Sequence, residues 1–479
     1  MSLKVKAISG LRWSALSIVI VNVLQILQLS ILTKLLNPSD FGLMAIVMVV
    51  MGFVAAFIDM GISNAIIHKQ DITLEELSSL YWLNVFAGFM MFIIVSLIAP
   101  FISFFYHEES LTHLIVLMAT TFVIQSFAQQ YNVLWQKELR FKEIAKIEII
   151  SKLLTLIVTT GFAYFGYGVF SLVYGAIISS IVQTCQYLII GLKEYKPYFR
   201  FKLTDVKKFL SFGLYQMGER TVNYFNYQMD TILIGKLLGM ETLGIYNIAK
   251  QLVMRPAQIV NPTITRVTFP AMAKIQNDIP KLKEIYLKTI NYISSINFPI
   301  YAFIFVFAKE IVLILFGEKW LGAVPIIQIL SVWAAWRSTG NPIGSLLLAR
   351  GRADVGFYWN FGLFFFIPIG ILIASSWGLV GIAIGHNVIM AILVYPAWKF
   401  LVNKLCYAGF WEYHIQILKP AIVTTFAGLM VYYGTMFIND VYLKILVGLL
   451  EESIFIIVLY YFNNRNFIFD LKEFILRRN

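Results

Sequence analysis

Long apolar stretches separated by short polar connections constrain this chain more than any other feature. Fourteen can be drawn, at about 11–36, 41–66, 79–105, 112–135, 144–165, 168–190, 208–235, 241–270, 285–316, 322–349, 355–375, 378–402, 414–437 and 440–462. Crossing the hydrocarbon core takes ~20 apolar residues, and stretches of about 21–32 residues can do so with some tilt. Soluble domains hold roughly 45–50% apolar and about 25% charged residues, whereas this chain holds 59% and 13%. The sequence therefore predicts an all-α polytopic membrane protein with 14 transmembrane helices. Turn residues mark the connections, at Asn37-Pro38-Ser39-Asp40, Phe165-Gly166-Tyr167-Gly168, Ser375 to Gly378 and Asn439-Asp440.

Lys and Arg orient the spans. With the N-terminus inside, the inner connections hold 27 of them and the outer ones only 5, Lys34, Lys236, Lys309, Lys319 and Lys444. That asymmetry predicts both termini in the cytoplasm, and the lack of any N-x-[ST] sequon with a permitted middle residue fits a bacterial inner membrane. It also accounts for the net charge of +12 without nucleic acid. The first span has a basic flank like a signal peptide, but its apolar stretch is too long for one and it is expected to remain attached. Cys185 and Cys406 fall on the inner side and are expected to be free thiols. Trp13, Trp82 and Trp320 stand near span ends, where interfacial anchors are found.

The chain repeats itself. Gln28 to Leu43 recurs as Asp230 to Ile245 at an offset of 202, with Lys34-Leu35-Leu36 matching Lys236-Leu237-Leu238 and Gly42 matching Gly244. A second echo, at an offset of 210, pairs Gly168 to Gly175 with Gly378 to Gly385. Two echoes at corresponding joints predict two six-helix lobes of the same orientation, an architecture of transporters with a site between their halves. The expected organisation is an N-lobe at 1–192, a basic cytoplasmic linker at 193–207, a C-lobe at 208–405, and two further helices with a cytoplasmic tail at 406–479.

Charged groups inside spans cost ~2.5–3.5 kcal/mol each on insertion scales. The seventh stretch places Gln216, Glu219, Arg220, Asn223, Tyr227 and Asp230 on one helical face. The eighth carries Asn247, Lys250, Gln251, Gln258, Asn261, Thr265 and Arg255 beside Pro256, and the first carries Asn22, Gln25 and Gln28. These stripes predict a wet central cavity. Two readings of its charges stand. In one, Glu219 or Asp230 neutralises Arg220 or Lys250 and locks the bundle. In the other, Arg220, Lys250 and Arg255, helped by Asn22, Gln25, Asn223 and Asn247, hold an anionic head group. A guanidinium fork matches phosphate oxygens. Lys152 and Arg337 either face the cavity or snorkel, His386 is a packing residue, and Glu451 and Glu452 pair with Lys444 or face a lipid groove. Kinks are expected at Pro256 and Pro262.

No Walker A pattern occurs, and the five histidines form no ligand cluster. Outer connections are only a few residues long, too little for a glycan polymerase or ligase site. An enzyme is not expected, nor is a cofactor.

The wording of several segments is familiar. Leu35 to Gly42, Asp59-Met60-Gly61-Ile62, Glu75 to Ser78, Trp82-Leu83-Asn84, Lys137 to Phe141, Asp230 with Ile234 to Gly239, and Arg266 to Pro270 resemble the polysaccharide-transporter family. The likeness is to flippases of the O-antigen, colanic-acid and teichuronic-acid kind, within the multidrug/oligosaccharidyl-lipid/polysaccharide exporter superfamily. It runs from about residue 5 to 405. The resemblance implies an inverted V of two six-helix lobes with the last two helices beside it. It implies a substrate, undecaprenyl diphosphate bearing an oligosaccharide, moved outward by alternating access and coupled to a proton or sodium gradient. A glycan polymerase and a chain-length regulator are implied partners. No fixed family motif reaches Arg220, Lys250 or Arg255, whereas Asp230 does match the family pattern. Glu219, Asp230 and Asp59 are candidates for the coupling ion. A small-cation exporter and a lipid II flippase of the same superfamily are the alternatives.

Overall fold

The computed structural model describes residues 3–58, 66 and 71–463, together with their side chains except those of 3–9, 11, 12, 15, 56–58, 203–220, 462 and 463. Every regular element among the described residues is helical. The first seven are α1 (Leu3–Leu35), α2 (Pro38–Ile58), α3 (Leu74–Tyr106), α4 (Ser110–Ser126), α5 (Gln129–Lys137), α6 (Phe141–Tyr164) and α7 (Phe170–Glu194). They are followed by α8 (Leu203–Lys274), α9 (Ile279–Val306), α10 (Ala308–Leu315), α11 (Val324–Gly340), α12 (Pro342–Ala349) and α13 (Ala353–Ser375). The chain ends with α14 (Gly378–Ala397), α15 (Phe410–Thr435) and α16 (Val441–Asn463).

Eleven described helices are long and apolar enough to cross a membrane, and twelve if a bent pair counts as one span. Three features separate this count from the sequence reading. The stretch 112–135, expected as one helix, breaks into α4 and α5 at 47°. The seventh and eighth stretches form one run, interrupted only at Gly239, whose φ of 81° leaves the helical region. And α16 is not among the eleven, because Lys444, Glu451 and Glu452 put three charges close together along it.

Local chemistry sets the boundaries. Pro38 opens α2 where its missing N–H is not needed, and the Asp40 carboxylate accepts from Asn37 N at 2.9 Å. Thr73 and Glu76 form a capping box ahead of α3, each accepting at 3.2 Å from the other's backbone N–H. Asp278 caps α9, and the N–H of Lys281, followed by its ammonium, holds that carboxyl below the usual range.

By internal contacts the chain forms two compact units, Met1–Gly244 and Ile245–Asn479. In the first, α3 packs on α4, α4 on α7 and α6 on α7. In the second, α9 packs on α11, α11 on α14 and α13 on α14. These three pairings stand at repeat-related positions. The two echoes have a physical basis as well. Gly168 and Gly378 both take the left-handed conformation, φ 53° and 68°, that reverses the chain before a helix. Gly42 and Gly244 cross against each other's segments: a Cβ on Gly42 would land on the Met240 carbonyl, and one on Gly244 on the Pro38 carbonyl.

Aromatic clusters fill the cores. Trp135 and Tyr131 pack with Tyr81, Tyr187 and Ile147 in the first unit. Tyr286 stacks on Tyr413 at 6.3 Å beside Cys406 in the second. Both cysteines are free thiols. Trp320, expected at the interface, is instead fully buried, because the 3-10 turn Glu318–Ala323 tucks it beneath α10 and α11.

Candidate functional site

The second half of α8 carries three prolines, Pro256, Pro262 and Pro270, inside the helix. Lys250 is only 5% exposed there, with Nζ 5.9 Å from the Tyr246 ring centre. The Tyr246 ring lies 6.4 Å from that of His386 on α14, which meets Trp333 of α11 edge-on at 5.2 Å. Arg337, one turn along α11, covers Trp333 at 5.0 Å. Two cations thus flank a continuous run of rings contributed by three helices. Each ring face is a weak electrostatic partner for its cation, Lys250 being buried and Arg337 exposed. Arg255, half-buried, follows Lys250 by five residues on α8. His386 fills the packing role expected of it, its Nδ1 2.9 Å from the Ile382 carbonyl.

The polar stripe of α8 has two fates. Asn261 is buried, and its Nδ2 donates to the Ser338 carbonyl at 2.9 Å. Asn297 of α9 donates to Asn261 Oδ1 at 2.9 Å. This amide chain ties α8 to α9 and α11 beside Pro262, where the backbone stays helical, so Asn261 is a structural fastening rather than a cavity ligand. Asn261→Ala strands the buried Asn297 amide and takes one of two donors from the Ser338 carbonyl, and a fall in unfolding free energy of about 1–2 kcal/mol is expected in a detergent melt. An unchanged melt would show that the fastening carries nothing.

The remaining candidates divide between the units. Asn22 donates to the Ile18 carbonyl of its own helix at 2.7 Å and is half-buried. Gln25 is half-buried and Asn223 exposed in the first unit, and Asn247 is half-buried in the second. Asp230 is 4% exposed, and its Oδ1 accepts from Thr231 N at 2.6 Å and from Thr231 Oγ1 at 3.3 Å. The side chains of Glu219 and Arg220, and the whole of Asp59, lie outside the described residues.

Lys444 does not pair with Glu451 or Glu452. Its ammonium reaches Glu310 of α10 at 2.7 Å. Glu452 is 6% exposed, and its Oε1 accepts no hydrogen bond among the described residues; Glu451 Oε2 is in the same state, against Gly434. A buried carboxyl without partners weakens the packing around it. Glu452→Leu is expected to raise the thermal unfolding free energy by about 1–2 kcal/mol, and a drop in the melt would refute that assignment.

One charged contact was not legible in the sequence. Ser17 of α1, itself buried, donates to Glu148 of α6 at 2.7 Å. Only a carboxylate near the start of an apolar stretch, 144–165, signals it.

Comparison with known proteins completes the picture. The family described as Polysaccharide biosynthesis protein matches residues 31–325. An uncharacterized membrane protein in the cps region of Klebsiella pneumoniae is 38% identical over 408 residues, covering 85% of this chain and 84% of its own. The lipopolysaccharide biosynthesis protein WzxC of Escherichia coli K12 is 34% identical over 421 residues, covering 88% and 86%. The inward closed structure of the lipid II flippase MurJ superposes with a TM-score of 0.73 over 93% of this chain and 98% of that one. At 14% identity this last likeness is one of fold. The motifs from Leu35 to Pro270 and the comparisons agree on one kinship: this chain is a multi-pass membrane protein belonging to the polysaccharide biosynthesis protein family.

Proposed function

We propose that this chain is a flippase that carries undecaprenyl-diphosphate-linked oligosaccharide repeat units from the cytoplasmic to the outer leaflet. The observation that carries the reading is kinship with a lipopolysaccharide biosynthesis protein along nearly the whole chain. The cations of α8 and α11 agree with it, because a diphosphate needs charge-assisted contacts to leave water. In this reading α8 crosses twice, once on each side of Gly239, the pair α4–α5 crosses once, and α16 is the last of fourteen crossings. The lobes 1–192 and 208–405 alternate in opening, with the last two helices beside them. Arg220, Lys250 and Arg255 hold the diphosphate, Asn22, Gln25, Asn223 and Asn247 meet the sugar, and the prenyl tail stays in lipid. A proton or sodium ion on Glu219, Asp230 or Asp59 biases the lobes, since only differential binding shifts such an equilibrium. A glycan polymerase and a chain-length regulator receive the product.

The test is reconstitution into vesicles containing fluorescent undecaprenyl-diphosphate oligosaccharide, with dithionite or lectin reporting the outer leaflet. Transfer that requires the protein supports the reading. No transfer, together with export of a small lipophilic cation dye, favours the exporter of the same superfamily.

A further inference from the structure

After Glu194 ends α7, the chain runs back along the first turns of α3. Ser78 Oγ sits 2.8 Å from Tyr195 OH and accepts from Tyr198 N at 3.0 Å. Trp82 Nε1 donates to the Tyr198 carbonyl at 2.8 Å, and Ser79 Oγ accepts from Lys202 N at 3.3 Å. Arg200 pairs with Glu75 at 2.6 Å, and the Phe199 ring meets Trp82 edge-on at 4.9 Å. Tyr195 to Lys202 is therefore a fastened strap, lying where two spanning helices begin and end.

What the strap displays does not suit water. Phe199 is 92% exposed, and Tyr198 and Phe201 are also exposed. Beside them stand Lys193, Lys196 and Lys202, all exposed and paired with no carboxylate among the described residues. Aromatic rings alternating with lysines at a span end match a lipid interface, with rings at head-group depth and ammonium groups toward phosphate. The surplus positive charge selects an anionic lipid, and its position at the helix ends makes the leaflet the surface within reach.

We propose that the strap Tyr195 to Lys202 is a docking surface for anionic phospholipid of the leaflet it faces. Phe199 and Phe201 enter the head-group layer, while Lys193, Lys196 and Lys202 hold phosphate. The identity of that leaflet as the cytoplasmic one rests on the orientation used under the proposed function.

The experiment uses the full chain with Cys185→Ser, Cys406→Ser and a spin label at Phe199→Cys. It compares nanodiscs of phosphatidylcholine with nanodiscs in which part of the lipid is phosphatidylglycerol. The expected label is more accessible to oxygen than to a water-soluble nickel chelate, and moves deeper with phosphatidylglycerol. In native mass spectrometry of the unlabelled chain, phosphatidylglycerol is retained over phosphatidylcholine by about threefold or more. A Lys193→Gln, Lys196→Gln, Lys202→Gln variant abolishes that preference. A water-exposed label in both lipids, or a preference the variant keeps, overturns the proposal. Impermeant maleimide reacting with Phe199→Cys from outside intact cells overturns the cytoplasmic assignment, and leaves the docking itself to be decided by the nanodisc result.

Discussion

Gly42→Leu and Gly244→Leu are each expected to leave almost no folded protein in the membrane. The first turn of α2 and the segment after Gly239 cross so closely that a Cβ on either glycine falls on a backbone carbonyl of the other strand of the crossing. A side chain can rotate away from a clash, but a carbonyl inside a hydrogen-bonded turn cannot. The two segments must therefore separate, and the small-residue contact that joins them is lost. Tightly packed sites resist extra volume at about 1–3 kcal/mol per overpacked group. A backbone collision belongs above that, at about 3 kcal/mol or more. Fluorescence-detected size exclusion of tagged variants is the measurement. A monodisperse peak and a wild-type melt for Gly42→Leu would mean that the crossing is not as drawn. Gly42→Ala should fall between the two.

The second large effect concerns charge. A Lys250→Ala, Arg255→Ala variant should translocate the lipid-linked oligosaccharide more slowly by about 100-fold or more, while its melt stays near wild type. Each truncated cation removes charge-assisted contacts worth about 1.5–3 kcal/mol to a phosphate. Lys250→Arg keeps the charge and should retain most of the rate. The distinction matters because Lys250 is buried beside Tyr246, where a purely structural cation would show its loss in the melt instead. A slower rate accompanied by an equal loss of folded protein would assign Lys250 to packing.

Much of the helical plan was legible because apolar length and turn chemistry are local properties. Asn37 to Asp40 reads as a turn and is one, with Asp40 capping it. The two sequence echoes have a backbone counterpart. Gly168 and Gly378 share a left-handed backbone, and Gly42 and Gly244 share a crossing, so both echoes mark places where only glycine fits. What failed to show was whatever depends on a distant partner. The bend between α4 and α5 lies at Phe127 and Ala128, residues that do not look like breakers. Trp320 stands at a span end in sequence but is buried by a turn that folds back.

The site was only partly readable, and Asn261 shows why. A polar residue in an apolar stretch looks the same whether it lines a cavity or, as here, fastens α8 to Ser338 and Asn297. Lys444 seemed a neighbour for Glu451 by helical spacing, yet α10 brings Glu310 closer. Arg337 gained importance only when α11 and α14 met at Trp333 and His386. Spacing along one helix cannot see such meetings between helices.

The flippase reading itself is tested most directly by the leaflet distribution of undecaprenyl-diphosphate oligosaccharide after this protein is depleted from cells with no second flippase. The account predicts accumulation on the cytoplasmic side, reversed by the wild-type chain and not by the Lys250→Ala, Arg255→Ala variant. A normal distribution across the two leaflets in depleted cells would contradict it.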